Sequence, residues 1–361
     1  MYSTRKKWKI ISIVFIISSS VIYMMNGFTA TQCRCRESSS TIPDLPSVET
    51  FINSTSTMNV ERQQLSLPLN PPPLEIKFPK NPFPVMTVWF TGRIGNLMYQ
   101  YAALCAISKH CDVMPVIPFD FKLATVFELT APSLKLAKKG VKTVLKEKST
   151  GKFDPRFRNL NIASLPACRI RGYLQSWKYF QNEADEIRKQ FTFRKHIKMA
   201  AENFIERSAY NLPLLTSANI TTIGIHIRRG DMKSTRSFRF GYVTVPVSYI
   251  KNAMDRMTSL YGEKVLFIVA SDDIPWCEKN VPRKNANVVF SKAKDPALDL
   301  AILSSCDHMI MSTGSFGWWA AWLANGTTIY YKDWPRKNSP LSRQVSHEDY
   351  FPPYWIGLSR K

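Results

Sequence analysis

The strongest constraint on the fold of this chain is a regular alternation of apolar runs and helix-like segments between residues 221 and 331. The runs TTIGIHIR, KVLFIVAS, NVVF, HMIMS and TTIYY have the length and composition of buried strands. Between them lie segments with helical spacing, namely VSYIKNAMDRMTSLYG, IPWCEKN, DPALDLAILSSC and GSFGWWAAWLAN. Strands that alternate with helices indicate an α/β fold with a parallel, doubly wound sheet.

A second unit of the same kind is predicted upstream, where the pattern is less regular. VMTVWF at residues 85–90 predicts a strand, and LMYQYAALCAISK has helical spacing. VMPVI and CRIRGYLQSWKYF predict further strands, LKLAKKGVKTVLKEK suits either helix or strand, and residues 182–208 predict a helix. A chain of 361 residues can form two α/β domains or one large one. We expect two Rossmann-like lobes, residues 85–200 and 201–361, that face a cleft.

The N-terminus has the pattern of a membrane anchor. Four basic residues within residues 1–9 precede a mainly apolar run at residues 10–28, which is long enough as a helix to cross a bilayer core. The positive-inside rule leaves residues 1–9 in the cytosol and directs the rest of the chain into the lumen. A cleaved signal peptide is the alternative, because FTAT offers small residues at a cleavage site.

Residues 29–84 are rich in Ser, Thr and Pro and end in LPLNPPPLEIKFPKNPFP. This composition cannot build a core, so we expect an extended stem between the membrane and the folded part. The formal net charge of +22 indicates an anionic partner such as a nucleotide, a phosphate group or a membrane surface. Nucleic acid satisfies the same charge argument, but a lumenal location argues against it.

Two further features agree with a lumenal location. Asn53, Asn219 and Asn325 each begin an Asn-X-Ser/Thr glycosylation sequon. The seven cysteines can form disulfides in an oxidising compartment. Cys33 and Cys35 lie just outside the predicted span and are too close in sequence to bridge each other easily. They either link two chains into a homodimer or remain free or lipid-modified thiols.

The segment IGIHIRRGD, residues 223–231, carries the strongest candidate site. Period-two alternation puts His226 and Arg228 on the same face of the predicted strand. Ligands of doubly wound sheets bind just outside the carboxyl ends of the strands, and this strand ends at Arg228 and Arg229. A guanidinium grips phosphate oxygens with a planar fork, and Asp231 is placed to orient one. The alternative is a structural Arg–Asp ion pair at a domain junction.

A second candidate is MIMSTGSFGWW, where a predicted strand passes directly into a helix. Thr313, Gly314, Ser315 and Phe316 stand at the start of that helix, whose free N–H groups favour anions. The alternative is that Thr313 or Ser315 is a plain N-cap, which is compatible with anion binding. For the tryptophans that follow, packing in the core is favoured over stacking on a ligand.

Weaker signals come from two other predicted loops. Gly92 permits a tight turn in TGRIGN, and Asn96 can cap the helix that follows, but the loop lacks both the GxGxxG spacing and the Walker lysine. Asp272 and Asp273 follow another strand, where they either face a ligand or cap a short helix. Neither these carboxylates nor the scattered histidines have metal-site spacing, so we expect no metal ligands and no required cofactor.

Five stretches, in this order, resemble the α-1,2-fucosyltransferases of glycosyltransferase family 11: GRIGNLMYQYAALCAISK, GYLQSWKYF, IGIHIRRGD, DLAILSSCDHMIMSTGSFGWWAAWL and TIYY. The resemblance extends over residues 85–358. Related arginine motifs occur in α-1,6- and protein O-fucosyltransferases, whereas GRIGN and the tryptophan-rich motif favour the α-1,2 group. Residues 120–165 match only loosely, so the acceptor stays open.

The resemblance implies a GT-B-like fold and metal-independent, inverting transfer of L-fucose from GDP-fucose to O2 of a terminal β-galactose on a glycan. Arg228 and Arg229 would stabilise the leaving diphosphate electrostatically, with His226 bonded to the nucleotide or arranging the arginines. Contacts to phosphate, ribose or guanine would come from Thr313, Gly314, Ser315, Phe316, Asp272, Asp273, Gly92 and Asn96. Asp231 is a candidate base, although an orienting role is favoured.

The type II layout is typical of Golgi transferases, which implies a Golgi membrane protein with a lumenal catalytic domain. Two other functions remain open at this point. One is a fucosyltransferase of another linkage, on core N-glycan or protein O-linked positions. The other is a non-catalytic lumenal glycan-binding protein, against which the intact arginines and the intact last motif argue.

Overall fold

The computed structural model describes residues 84–134, 141, 143–160, 162, 167–210, 220–284 and 286–360. The predicted tail, anchor and stem up to residue 83 lie outside the described residues, as do Cys33, Cys35, Asn53 and Asn219. None of the helices in the described ranges is both long and apolar enough to span a bilayer. Free thiols are present at Cys105, Cys111, Cys168, Cys277 and Cys306.

The N-terminal sheet is fully parallel and has four strands in the order β2-β1-β4-β3. Its strands are β1 (Val85–Val88), β2 (Met114–Pro115), β3 (Thr143–Lys146) and β4 (Ala167–Arg171). Helix α1 (Ile94–His110) connects β1 to β2 and is buried over most of its length. The segment that was compatible with helix or strand therefore contributes strand β3.

The C-terminal sheet is also parallel, with six strands in the order β10-β9-β8-β5-β6-β7. These strands are β5 (Thr221–Ile227), β6 (Val265–Ser271), β7 (Asn287–Phe290), β8 (His308–Met311), β9 (Thr328–Tyr331) and β10 (Ile356–Leu358). The helices after α1 are α2 (Ala184–Gln190), α3 (Lys195–Tyr210), α4 (Thr235–Phe240), α5 (Val247–Tyr261), α6 (Ile274–Asn280), α7 (Pro296–Ser304), α8 (Ser315–Ala324), α9 (Pro340–Gln344) and α10 (His347–Tyr350). The prediction of an α/β fold with parallel sheets is confirmed.

The prediction of one helix over residues 182–208 was wrong, because the chain breaks between α2 and α3. Phe191 ends α2 and packs against Phe127 and Trp319, and Phe193 pairs with Phe127 in an isolated bridge. Burial of these rings outweighs continuation of the helix. The expected boundary between residues 200 and 201 lies inside α3.

Strand β5 is buried on both faces. Ile223, Ile225 and Ile227 are at most 1% exposed, and His226 on the opposite face is also buried. A Cβ at Gly224 would come within 2.4 Å of the Met309 sulfur, so the glycine is needed for close packing there. A central strand covered on both faces is expected for a doubly wound sheet.

An aromatic cluster around α8 joins the two sheets. Trp318, Trp319 and Trp322 are all buried, which confirms that the tryptophans of this motif belong to the core. The ring of Tyr99 from α1 lies 4.7 Å from Trp318 and 5.1 Å from Trp319, measured between ring centroids. Phe180, which follows β4, stacks on Trp319 at 5.4 Å. The cluster therefore fixes α8 against elements of the N-terminal sheet.

The C-terminal residues return to the N-terminal sheet. The Ser346 backbone N–H donates to the Gly151 carbonyl, and Val345 pairs with Gly151 in a parallel bridge. Asp349 accepts hydrogen bonds from the Phe153 backbone N–H at 3.0 Å and from the Lys178 ammonium at 2.7 Å. The last helices of the chain thus complete the surroundings of the first sheet.

Replacement of Trp318 by alanine should lower the free energy of unfolding by about 3–5 kcal/mol, because it empties the centre of the aromatic cluster and removes the indole hydrogen bond to the Tyr350 carbonyl. Urea denaturation of the purified protein measures this loss. Phe119→Ala, at a side chain that is 62% exposed, is the matched control and should change stability by about 0.5 kcal/mol or less. Equal losses in the two variants would contradict the role of the cluster.

Candidate functional site

The candidate site lies at the carboxyl ends of β5 and β8. These strands are neighbours, and the strand order reverses between them: β6 and β7 follow on one side of β5, whereas β9 and β10 follow on the other side of β8. Such a switch point opens a crevice between the loops that leave the two strands. Arg228 and the segment Ser312–Ser315 occupy those two loops, so the structure brings the two strongest predicted motifs together.

Arg228 projects beside a shared carboxylate. Its guanidinium makes hydrogen bonds to both oxygens of Asp231, the shorter at 2.8 Å, and Arg93 from the loop after β1 reaches the same carboxylate at 2.7 Å. The Arg228 backbone N–H donates to the Ser312 hydroxyl at 2.9 Å, which ties the β5 loop to the β8 loop. Burial alone would raise the pKa of Asp231, but the two arginines outweigh it and lower the pKa below its ordinary value.

Arg229 has a different environment from Arg228. Its guanidinium lies 3.6 Å from the centroid of the Trp276 ring, and its Nε donates to Asp273 at 3.3 Å. The side chain is only 15% exposed. Stacking on an indole together with an ion pair is a strong structural role for an arginine. The geometry therefore separates the two adjacent arginines, with Arg228 in the crevice and Arg229 engaged in packing.

Asp272 and Asp273 support the arginine loop. The Asp272 carboxylate accepts the backbone N–H groups of Arg229 at 2.7 Å and Gly230 at 3.0 Å. A Cβ at Gly230 would approach Asp272 to 2.7 Å, so only glycine fits without displacement. Asp273 occupies the N-cap position of α6 but makes no side-chain capping bond, since it pairs with Arg229 and Lys233. The structure thus gives both carboxylates protein partners around the arginine loop.

His226 is buried directly beneath the crevice. The Ser312 hydroxyl lies 3.4 Å from its Nδ1, and the Phe316 ring lies 5.4 Å away between centroids. A Cβ at Gly317 would fall 2.3 Å from Nδ1, so α8 approaches the imidazole as closely as a glycine permits. Burial, and next the charge of Arg228, lower the pKa of His226 to about 4, with Asp272 opposing the shift. The imidazole is therefore neutral near pH 7.

The start of α8 supplies hydrogen-bond donors beside Arg228. Gly314 is the N-cap residue at φ 94°, a conformation that favours glycine, and a Cβ there would lie 2.7 Å from Arg228 Nη1. Neither Thr313 nor Ser315 caps the helix with its side chain. The Thr313 hydroxyl is buried and has no partner among the described residues. Free N–H groups, a guanidinium and a spare hydroxyl form a site suited to phosphate oxygens.

Asn96 links the two sheets at the edge of the crevice. Its side-chain oxygen accepts hydrogen bonds from the Ser315 hydroxyl and from Gln175 Nε2, both at 2.8 Å. The expectation that Asn96 caps α1 was wrong, because the N-cap is Arg93 and Asn96 lies inside the first turn. Gly92, at φ 95°, leaves room for the Asn96 side chain, which a Cβ would meet at 2.3 Å. Asn96 and Gly92 therefore shape the wall opposite Arg228.

Sequence reasoning missed three residues near Arg228, namely Arg93, Tyr242 and Tyr350. Arg93 lies in the GRIGN motif, so its charge beside two glycines was the available signal. Burial raises the pKa of both phenols, and the positive charge of Arg228 opposes that rise in each, which places both near its guanidinium. Within the described ranges, no group of three or more His, Cys, Asp or Glu side chains is arranged to hold a metal ion.

The lowered pKa of His226 predicts a specific loss of stability in acid. The imidazole has its ordinary pKa of about 6.5 in the unfolded chain and a pKa of about 4 in the folded chain. The free energy of unfolding is therefore unaffected by the titration of His226 above pH 6.5 and declines as the pH falls towards 4, because the unfolded chain binds the proton first. Between pH 6.5 and pH 4 the free energy of unfolding of the wild type should fall by about 3 kcal/mol more than that of His226→Gln, in which no group titrates at this position. Urea denaturation at pH 7.5, 5.5 and 4.5 measures how the free energy of unfolding of each protein changes with pH. Parallel slopes would show that the imidazole is not held neutral.

Comparison with known proteins places the chain in a family. The family model "Glycosyl transferase family 11" matches residues 57–359. Galactoside alpha-(1,2)-fucosyltransferase 1 of Sus scrofa is 31% identical over 78% of each chain, and galactoside alpha-(1,2)-fucosyltransferase 2 of Bos taurus is 30% identical over 79% of this chain and 84% of its own length.

Two solved structures show a limited similarity to this chain. A mutant of Arabidopsis thaliana FUT1 in complex with GDP has a TM-score of 0.47 at 11% identity and covers 75% of each chain. POFUT1 in complex with GDP has a TM-score of 0.43 at 13% identity, covering 73% of this chain and 97% of that one. From the family match and the curated relatives, the chain belongs to glycosyltransferase family 11.

Proposed function

We propose that this chain is a galactoside α-1,2-fucosyltransferase, which moves L-fucose from GDP-fucose to O2 of a terminal β-galactose on a glycan and inverts the anomeric carbon. The observation that carries the proposal is the placement of Arg228 beside the first turn of α8 and the buried Thr313 hydroxyl, which has no partner in the described part of the chain. Relatives named galactoside alpha-(1,2)-fucosyltransferases, 30–31% identical to this chain, support the substrate class.

The site acts on the leaving group. Negative charge grows on the diphosphate as the bond from fucose C1 to the phosphate oxygen breaks, while the sugar becomes oxocarbenium-like. Asp231 holds the Arg228 guanidinium through Nε and Nη2, which keeps Nη1 beside Gly314, where phosphate oxygens can accept from it. Arg93 pairs with the same carboxylate. Donors already oriented in this way each stabilise a transition state by about 3–4 kcal/mol. Thr313, Ser315 and the first turn of α8 hold the remaining phosphate or ribose oxygens.

His226 and Asp231 have positioning roles in this mechanism. A neutral His226 adds no charge to the site and fixes the Ser312 hydroxyl that holds the Arg228 backbone. Asp231 is a poor general base because its pKa is lowered by the arginines, and a base works best with a pKa near the operating pH. We therefore assign Asp231 to the orientation of Arg228 and Arg93 rather than to proton abstraction.

The proposal includes the layout expected from the sequence. Residues 1–9 form a cytosolic tail, residues 10–28 the single membrane anchor and residues 29–84 the stem of a type II Golgi protein, with Cys33 or Cys35 linking a homodimer. Residues 85–200 form the acceptor-side lobe, and residues 201–361 form the GDP-fucose-binding lobe. Asn325 suits N-glycosylation because it is exposed at the C-cap of α8, in the sequon Asn-Gly-Thr.

Replacement of Arg228 by alanine should leave the protein folded and reduce fucose transfer by about 10²–10³-fold, since the leaving diphosphate loses an oriented donor. Arg228→Lys should recover only part of that loss, because an ammonium cannot form the bidentate fork. The measurement is GDP release with an N-acetyllactosamine acceptor, with linkage analysis of the product.

The adjacent arginine is the matched control. Arg229→Ala removes the stack on Trp276 and the ion pair with Asp273, so it should lower the melting temperature more than Arg228→Ala and reduce transfer less. Wild-type turnover by a folded Arg228→Ala protein would refute the assignment. A product with fucose at any position other than galactose O2 would favour the alternative linkages.

Transfer should not require a divalent metal, because arginines and backbone N–H groups supply the positive potential at the diphosphate. Treatment with EDTA followed by gel filtration should leave the initial rate within about twofold of that of the untreated enzyme, since no metal-bound oxygen contributes to the barrier. A parallel sample with added MnCl₂ is the control. A larger loss that Mn²⁺ restores would contradict the proposal.

A further inference from the structure

A cavity of about 400 Å³ lies beside the C-terminal segment 347–355 and takes no part in the site at the β5–β8 crevice. Four aromatic rings line it, from Trp177, Tyr330, Phe351 and Trp355. Its volume falls within the range of roughly 300–1,000 Å³ that is usual for small-molecule sites. We refer to these four rings and the space between them as the aromatic pocket.

The rings of the aromatic pocket are held in place by contacts outside the cavity. The rings of Tyr330 and Phe351 stack on each other, with centroids 3.8 Å apart and planes at 15°, so each ring restricts the movement of the other. The Trp177 indole N–H donates to the Glu348 carbonyl at 3.1 Å, which fixes the orientation of its ring. Trp355 packs on the buried Trp318 at 5.3 Å. Rings fixed in this way lose little conformational entropy when a ligand packs on them.

Polar groups of both signs border the aromatic pocket. The Lys178 ammonium is paired with Asp349 at 2.7 Å, so its charge is balanced. The Glu348 side chain is exposed at the mouth, and His347 Nε2 lies 2.5 Å from the Trp334 carbonyl. A carboxylate accepts hydrogen bonds and an ammonium donates them. This set suits a neutral ligand with many hydroxyls, in contrast to the arginines of the crevice.

Residues 175–177 run from the edge of the crevice to the aromatic pocket. Tyr350, between Glu348 and Phe351 in sequence, is buried, and its ring centroid lies 6.3 Å from that of Tyr99 in α1. Gln175 bonds to Asn96 at the edge of the crevice, and Trp177 follows two residues later, a span of at most about 7 Å. Trp177 at the pocket therefore lies close to the residues that border the crevice.

We propose that the aromatic pocket is an accessory carbohydrate subsite that binds an inner sugar residue of an extended acceptor glycan. The inference rests on the proposed function and adds the part of the acceptor that the enzyme recognises. The flat C–H faces of a pyranose pack on aromatic rings, while its hydroxyls both donate and accept hydrogen bonds. A second point of attachment raises the effective concentration of the terminal galactose at the crevice.

The proline-rich end of the predicted stem is the competing occupant, because aromatic grooves also bind extended proline-rich segments. The polar border favours the sugar. In residues 67–84 the prolines lack N–H donors, and the charged donors of Lys77 and Lys80 cannot accept a hydrogen bond from the Lys178 ammonium at the same border. Each hydroxyl of a sugar both donates and accepts, which suits Glu348 and Lys178 together, so the occupant is assigned as a glycan.

The kinetic test compares N-acetyllactosamine with the linear hexasaccharide of three N-acetyllactosamine units. Trp177→Ala and Glu348→Ala should raise KM for the hexasaccharide about five- to tenfold and leave its kcat unchanged, while KM for the disaccharide stays constant. Tyr354→Ala is the matched control, since this exposed aromatic lies on the same segment outside the pocket. Glu348 is exposed, so its variant keeps the test valid if Trp177→Ala does not fold. Equal KM changes for both acceptors, or none for either, would overturn the subsite.

Direct binding separates the subsite from the proposed function. Saturation-transfer NMR with the hexasaccharide, on the full chain without GDP-fucose, should show transfer to inner sugar protons in wild type and in Tyr354→Ala but not in Trp177→Ala. If wild type binds in this way but transfers no fucose to galactose, the proposed function fails and the subsite stands. If the hexasaccharide shows no Trp177-dependent signal, or a synthetic peptide of residues 67–84 displaces it, the carbohydrate assignment is wrong.

Discussion

The rest of the structure depends on the close approach of the first turns of α1 and α8. Gly95 makes this approach possible, because a Cβ there would lie 2.7 Å from the Phe316 backbone nitrogen. Each helix follows a strand of a different sheet, so their contact fixes one sheet against the other. The Asn96–Ser315 hydrogen bond and the packing of Tyr99 on Trp318 and Trp319 follow from it. The spacing of the crevice is therefore set by core packing.

Charge in the crevice is organised around one carboxylate. Asp231 holds Arg228 and Arg93 in the positions from which they can meet an anion. Arg229, although adjacent in sequence, contributes to the packing of α6 through Trp276. His226 remains neutral beneath them because its burial and the charge of Arg228 both disfavour a second cation. The positive potential is thus concentrated at the mouth, where a diphosphate would enter.

Much of this arrangement was predictable from the sequence, because the decisive signals are local. The order of strands β5 to β9 and of helices α5 to α8 between them follows from hydrophobic periodicity, and the position of Arg228 follows from its place at a strand end. Helices α4, α9 and α10 and strand β10 were not predicted. The break at Phe191 and the engagement of Arg229 depend on partners distant in sequence, such as Phe127 and Asp273. The aromatic pocket could not be predicted from the sequence either, since its rings come from three separate stretches of chain. Hydrophobic periodicity describes local structure and does not predict contacts between residues that are distant in sequence.

The return of the C-terminal segment to the N-terminal sheet has a consequence for biosynthesis. Gly151, Phe153 and Lys178 find their partners in Val345, Ser346 and Asp349. Asp349 is translated 196 residues after Phe153 and 171 residues after Lys178, so the segments that follow β3 and β4 cannot acquire these contacts until that much more of the chain has been made. Domains generally form in order of synthesis, from the N-terminus onwards. Here the surroundings of the first sheet are completed only after residues 345–349 have been made.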